Sequence, residues 1–565
     1  EDGTLADGLN MLSVAGELVG HNIINYDLAV LKKLHGFTFG GKVTDTLLLS
    51  KLLFPTIETR DMIRAKMGRF PAKLIGRHSL EAWGYRLSNH KGSFCHETDW
   101  KTYSREMQQY CLQDLEVNHT LYNRCLQEDL SEDALELETE VAKIITQQSI
   151  NGWPFDLEKA RELHLAWLEE RDRMDAEITA KIPPFINREW FTPKVNRADL
   201  GYKAGVPFEK VTRVTFNPNS RQHITRYFRE KYGWEPTERT EKGQPIVDEE
   251  VLRSLPYPEA PALAERFELQ KHIGMLAEGK KAWIKLYNPD TGRIHGSVDT
   301  LGTRTRRAAH RDPNLAQVPA HSKYGQDCRS LFHAPPGYKE IGIDAAALEL
   351  RCLAHYLYPW DNGTFAETVL HGKKEDGTDV HSLNAKACGI SRDLAKRAVY
   401  CVIYGGGDKK LGEVGNEGAG LSDRQLCKIG AERRKALASA IVGLAPLTDR
   451  TKALTKERGY LYSIDKQKLV SPSEHAALNT LLQSAGSIIV KRAMVIIHEK
   501  LKSESLPVQQ VGWIHDEICL LVPENMVDHY PPLLLSAFVE AGEYYNFRCP
   551  IEGEVLIGNN WSECH

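Results

Sequence analysis

The sequence predicts a mixed α/β fold, α+β in part, spread over several domains, and three observations carry that prediction. The chain has 565 residues, 42% of them hydrophobic and 26% charged, and at ~150 residues per domain this length points to roughly three or four cores. Its first part alternates short apolar runs with helical stretches, as strands and helices in succession do. Two further apolar runs, far apart in the chain, each end in carboxylates. The composition excludes a disordered or collagen-like chain. Apolar stretches such as 487–490 and 493–497 are broken by Lys491 and Arg492, short of the ~18 residues of a membrane span, so no membrane partner is expected. No secretory leader pattern opens the sequence. The eleven cysteines are scattered (Cys95, Cys111, Cys125, Cys328, Cys352 and Cys388 among them) with no Cys-x-x-Cys pair, which predicts reduced thiols rather than a zinc ribbon or a disulfide scaffold.

Taken in order, residues 1–150 carry the α/β pattern, with apolar runs at 17–20 and 44–49. Residues 151–290 hold long charged helices such as 156–182, with an irregular stretch bearing Pro and Arg at 183–219. Residues 291–352 read as strands and turns, followed by a helical region to about 470, a long helix at 475–501 and an apolar–turn–apolar segment at 511–522. The net charge of -4 arises from 72 basic and 76 acidic residues, so bulk charge predicts no polyanion partner. Locally, Arg304, Arg306, Arg307, Arg311, Lys323 and Arg329 face only Asp312 and Asp327. Such a basic patch suits a chain that holds nucleic acid while gathering carboxylates around metal ions.

Four features carry chemistry. A short strand ends at Asp344, and the HDE tripeptide His515-Asp516-Glu517 sits at the tip of a hairpin. Converging, they would hold two divalent ions for phosphoryl transfer; separately, they fit a helix N-cap and a turn. Arg392, Lys396 and Tyr400 recur at i, i+4 and i+8 on one helix face, Tyr404 continues the row, and Gly405 opens the GGG stop. Two cations followed by aromatics suit a nucleoside triphosphate, with His381 upstream as a further phosphate donor; a solvated basic face is the bland alternative. His475, Asn479 and Gln483 form a polar row on an otherwise apolar helix, fit for reading minor-groove acceptors or for an interhelical network.

Together these segments resemble DNA polymerase family A, the DNA polymerase I class, and in particular the replicative polymerases of short-tailed, T-seven-like phages. GIDAAALELR at 342–351 resembles motif A, RDLAKRAVY at 392–400 with Tyr404 and Gly405 resembles motif B, and HDE at 515–517 resembles motif C. TRR at 305–307, PNLAQVP at 313–319, HSLEAWG at 78–84, the helix at 475–486 and the ending Asn560, Trp561, Cys564 and His565 agree in order. The resemblance implies a right-hand polymerase preceded by a ribonuclease-H-like 3′–5′ exonuclease domain. The exonuclease-like part would span 1–150, the thumb 151–290, the palm 291–352 and 475–565, and the fingers 353–474. It implies that Asp344 and Asp516 bind two magnesium ions, with Glu517 and Lys396 as further catalytic groups. Arg392, Lys396, His381 and Tyr400 would bind the deoxynucleoside triphosphate, and Glu349 would exclude a ribose 2′-hydroxyl. Arg307, Gln317, Tyr404, Gly405, Asn479, Gln483 and His515 would contact primer-template DNA. Tyr400 in place of Phe implies weak discrimination against dideoxynucleotides.

The chain departs from the family's pattern at Cys401, where phage relatives carry Gly, and at Ala346, which lacks the usual small polar side chain. At the front, Asp27, Tyr110 and Asp114 resemble the second and third exonuclease motifs, while the first, Asp-x-Glu, is missing between Glu1 and Gly20. Truncation is the expectation there, supported by the absent initiator Met, and proofreading by these residues is doubtful. The short stretch at 183–214 argues against a thioredoxin clamp; a replicative helicase-primase is the partner expected in the cytoplasm of an infected bacterium. The competing functions are a single-subunit RNA polymerase, which Glu349 disfavours, and a catalytically silent duplex-DNA-binding scaffold.

Overall fold

A computed structural model describes residues 3–89, 102–236, 239–240, 242–320, 322–416 and 420–564; Cys95 and His565 fall outside these. At its centre is a four-stranded sheet of Tyr338–Ala345, Gln509–Ile514, Glu517–Pro523 and Gly553–Gly558. The strand Tyr338–Ala345 lies inside it, antiparallel to Glu517–Pro523 on one side and to Gly553–Gly558 on the other. Side chains alternate across a strand, and here both faces are covered. Ile341, Ile343 and Ala345 join Ile518 and Leu520 in the largest core, with the Ala477–Ser503 and Tyr530–Tyr544 helices. Val511, Cys519 and Leu521 join Trp153, Trp283, Phe332 and Trp561 in a second core.

The Ala477–Ser503 helix corrects the sequence reading of the membrane signal: by length and composition it could span a bilayer, yet 89% of that window is buried inside the protein. Its interrupting charges are matched internally, Lys491 by Glu138 and Arg492 by Asp133. The Glu132–Asn151 helix contributes Leu137, Val141 and Ile145 to the same central core.

Two segments fold otherwise than their patterns suggest. The run 44–49 is not one strand: Lys42–Asp45 pairs in parallel with Glu17–Gly20, and a helix begins at Thr46. The Asp45 carboxylate accepts from the Leu47 N–H at 2.9 Å, an N-cap that turns the chain. The stretch 183–219 is not irregular: Phe185–Phe191 pairs antiparallel with Phe208–Val214. Phe191, Tyr202 and Phe208 close this hairpin, the last two with ring centroids 4.7 Å apart. It stands on helices whose core includes Ile178, Ile224, Phe228 and Leu263. The helices from Leu348–Asp361 to Leu444–Arg458 follow the central strand. The ten cysteines among the described residues are free thiols.

Candidate active site

The central strand delivers Asp344 to the end of the sheet. Its neighbour two residues back must be glycine, because a Cβ on Gly342 would lie 2.4 Å from the Cys564 carbonyl oxygen and 3.2 Å from Glu517 Oε1. Past Asp344 the chain reverses through Ala347 at φ 49 and enters the Leu348–Asp361 helix, which carries Glu349 in its first turn. Ala346 acts here through its backbone: its N–H donates to the Glu552 carbonyl, and its own carbonyl accepts from Arg351 Nε. The absent polar side chain is therefore not missed in this contact.

The partner carboxylate comes from a two-residue turn. Ile514 pairs with Glu517 across the hairpin, leaving His515, at φ 58, and Asp516 as the loop. Ile343 pairs with Ile518, so one further step along that register sets Asp344 opposite Glu517 and next to Asp516. Burial, then the nearby Glu349 carboxylate, push the Asp516 carboxyl above its ordinary range. A carboxylate so placed gains from a cation. Among the described residues no group of three His, Cys, Asp or Glu side chains is placed to hold a metal. Asp344 and Asp516 offer hard oxygen ligands, a chemistry that suits magnesium, an ion that keeps water and substrate phosphate oxygens in its shell. Glu517 faces away from solvent, 2% exposed, where it accepts from Trp561 Nε1 at 3.2 and 3.3 Å and lies 4.0 Å from Arg329.

The Arg392–Ile403 helix carries Tyr400 close enough to feel the charges of Glu349 and Asp516. Ala395, Ala398, Val399 and Val402 bury one side, leaving Arg392, Lys396 and Tyr400 on another. Arg392 is held by a carboxylate that the sequence reading missed, Asp379, through contacts of 3.0 to 3.3 Å. Asp379 also caps the Val380–Cys388 helix at His381 N and Ser382 N. The signal for it was present, an N-cap residue two places before His381. Lys396 is exposed and has no ion-pair partner among the described residues. Burial, then the Arg392 charge, lower the His381 pKa and favour the neutral ring.

From there the aromatic row leads inward. His381 and Tyr400 have centroids 6.1 Å apart, and Tyr400 and Tyr404 5.8 Å. The Tyr404 hydroxyl donates to Glu349 Oε1 at 3.0 Å, and Arg307 donates to the same oxygen at 3.2 Å. Arg307 is therefore ion-paired rather than a free surface cation. The same holds for most of the basic patch read from the sequence: Arg304 pairs with Glu58, Arg306 with Glu138 and Asp465, Lys323 with Glu170, and Arg329 approaches Glu517. Arg311 alone of the six has no carboxylate partner among the described residues. Carboxylates distant in sequence answer these charges, which a local count cannot detect.

Gly405, at φ 74, turns the chain against the start of the long helix, where a Cβ would sit 3.2 Å from the His475 carbonyl oxygen and 4.0 Å from Asn479 Cβ. The three-residue polar row needs correction, since the helix begins at Ala477 and His475 lies in the preceding turn. Asn479 and Gln483 remain, and they are the only positions from Ala477 to Val495 that are not buried. His515 Nε2 lies 3.2 Å from the Ala316 carbonyl in the short turn Leu315–Gln317, which leaves Gln317 exposed nearby. In the first part of the chain, Asp27 opens the Asp27–His35 helix with its carboxyl pushed up by burial. Tyr110 and Asp114 share a face of Arg105–Cys125.

Comparison with known proteins identifies the family of the chain. Residues 206–563 match the profile of DNA polymerase family A. The chain is 32% identical to the DNA-directed DNA polymerase of Enterobacteria phage T3, over 97% of this chain and 92% of that protein. Identity and coverage are the same for the DNA-directed DNA polymerase of Escherichia phage T7. Among solved structures, the POL domain of Pol1 from M. smegmatis, in complex with DNA primer-template and dNTP, superposes with a TM-score of 0.69 at 17% identity, covering 94% of this chain and 83% of that one.

Proposed function

The chain belongs to DNA polymerase family A, and we propose that it extends primers in phage DNA replication, in the cytoplasm of the infected bacterium, with Asp344 and Asp516 at the centre of its chemistry. It is a DNA-directed DNA polymerase, a nucleotidyltransferase. The observation that supports the site assignment is the register of the central sheet, which, followed one step past Ile343, brings Asp344 towards the His515-Asp516 turn, with Tyr400 of the cationic helix near Asp516.

Polymerases of this family use divalent metals, and Asp344 with Asp516 is the pair suited to hold two magnesium ions. The chemistry those ions supply when bound is alignment of the primer 3′-hydroxyl with the α-phosphorus and relief of charge on the oxygens. The remaining work falls to side chains. Lys396, with no ion-pair partner among the described residues, meets the triphosphate and offsets charge on the leaving pyrophosphate. Arg392, aimed by Asp379, and neutral His381 donate to the same phosphates. Tyr400 packs on the incoming nucleotide, and Glu349, pinned by Arg307 and Tyr404, occupies the space a ribose 2′-hydroxyl needs. Asn479, Gln483, Gln317 and His515 line the path of the primer-template, where their donors suit minor-groove acceptors common to all base pairs.

Exonuclease action through Asp27, Tyr110 and Asp114 rests on two motifs only and is a separate proposal, tested by release of nucleotides from a labelled single strand. A helicase-primase partner is likewise an expectation, checked by co-sedimentation.

The first experiment is extension of a labelled primer with magnesium, using deoxynucleotides and ribonucleotides in parallel, beside Asp516→Ala. The expected result is extension with deoxynucleotides only, reduced by ~10³-fold in the variant, as loss of several kcal/mol of charge stabilisation implies. Full activity of Asp516→Ala would overturn the site assignment, and equal use of ribonucleotides would overturn the role given to Glu349.

A further inference from the structure

Beneath the Glu349 contact lies an ionic cluster that the reaction does not use directly. Arg306 is 5% exposed and carries φ +65, a conformation disfavoured for a residue with a Cβ. Its guanidinium donates to Glu138 Oε1 at 2.8 and 3.2 Å and to Asp465 Oδ2 at 2.5 Å. Lys491 donates to both oxygens of Glu138 at 2.7 and 2.8 Å and to the Thr300 carbonyl at 2.8 Å. Lys491 and Glu138 are wholly buried. Two cations and two carboxylates in one buried site balance, and each depends on the others for its charge.

The backbone of Arg306 is fixed as firmly as its side chain. Ser487, on the long helix, donates to the Arg306 carbonyl at 2.9 Å. The Arg306 N–H reaches the Thr303 carbonyl at 3.0 Å, and the Thr303 N–H reaches the Arg307 carbonyl at 3.2 Å. A left-handed residue held at both ends sets the direction in which the next side chain leaves the chain. That next side chain is Arg307, whose guanidinium meets Glu349.

We propose that Arg306 is a positioning residue for sugar selection: clamped by Glu138, Asp465 and Ser487, it aims Arg307 at Glu349 and so keeps that carboxylate where it excludes a 2′-hydroxyl. The inference rests on the role given to Glu349 above. It also assigns a part in selection to Glu138, which lies outside the 206–563 segment matching the family profile. Release of this clamp leaves Tyr404 as the remaining partner of Glu349 among the described residues, and the carboxylate free to turn away and admit a ribonucleotide.

The test measures kcat/KM for one deoxynucleotide and its ribonucleotide with the full chain, for wild type, Ser487→Ala, Arg306→Gly, Glu349→Ala and the Ser487→Ala/Glu349→Ala double variant, each checked for folding by circular dichroism. Glu349→Ala reports on the gate itself; if it leaves selection unchanged, the gate reading fails and the positioning role falls with it. With the gate intact, Ser487→Ala and Arg306→Gly are expected to reduce selection by about tenfold, mainly through a lower KM for the ribonucleotide. The double variant is expected to match Glu349→Ala, since residues acting through one group are not additive. Arg306→Gly leaves Asp465 buried without its cation; if it does not fold, Ser487→Ala, which changes no charge, decides alone. Folded variants that keep wild-type selection while Glu349→Ala loses it would overturn the proposal and leave the cluster a purely structural one.

Discussion

At the scale of single residues, the site depends on groups that hold other groups. Asp379 shows how. Burial pushes its carboxyl up, but hydrogen bonds from Arg392, Ser382 and the His381 N–H outweigh this and hold it at about 2. A carboxylate with its folded pKa below the ordinary 3.8 stabilises the fold above that pH, and the stabilisation is lost as pH falls through about 2. The gap in melting temperature between wild type and Asp379→Asn should therefore be full near neutral pH and close between pH 3.8 and about 2; a gap independent of pH would mean that the Arg392 contact contributes nothing. Trp561 holds Glu517 in the same way. Trp561→Phe keeps an aromatic ring but removes the donor at 3.2 Å and part of a buried indole, so Glu517 loses one hydrogen bond at a cost of about 1–3 kcal/mol on top of the packing lost, read as a lower midpoint in urea. The sequence displayed Arg392 and Tyr400 because their spacing is local, and Asp344 and Asp516 because each ends a short apolar run. It did not display Asp379 as the partner of Arg392 or Trp561 as the partner of Glu517, because a hydrogen bond between residues 13 or 44 apart has no local signature.

At the scale of elements, close backbone approach decides how the helices after the central strand pack. The Asp408–Glu413 helix crosses Asp423–Ala440 so tightly that a Cβ on Gly412 would lie 1.9 Å from the Leu426 carbonyl oxygen and one on Gly430 1.8 Å from that of Asp408. Gly430→Ala should force the pair apart at a cost of about 1–3 kcal/mol, whereas Gly407→Ala, with nothing within 4 Å, should be mild. Urea midpoints for the two variants check this, and equal midpoints would mean that the crossing yields freely. Cys401, the departure from the phage pattern, is accommodated nearby, since its Sγ fills the space that a Cβ on Gly406 would occupy. The helical periods of Arg392–Ile403 and Ala477–Ser503 were legible, because apolar spacing reports a helix directly. The Phe185–Phe191 hairpin was not, because both of its faces carry exposed apolar and charged residues and no clean alternation survives.

At the scale of the whole molecule, charges that look like a nucleic-acid surface in the sequence are largely paired with carboxylates distant along the chain. Arg311→Gln should flatten the plot of log affinity for duplex DNA against log salt by about one unit, as loss of one phosphate contact does. Arg304→Gln, which breaks an ion pair with Glu58, should leave the slope unchanged; the reverse pattern would restore the patch as the binding surface. The sequence by itself determined the resemblance to the family through the order of its motifs, the two carboxylates proposed for the chemistry as members of those motifs, and the cationic helix face, whose i, i+4 spacing the backbone converts directly into geometry. Only the tertiary structure decided which cations remain available to a substrate, what holds Arg392 and Glu517 in place, and that Glu138 reaches the Arg306 turn from 168 residues away. Those depend on which carboxylate meets which cation once the cores close, and in a buried site that pairing is set by packing and desolvation rather than by neighbourhood along the chain.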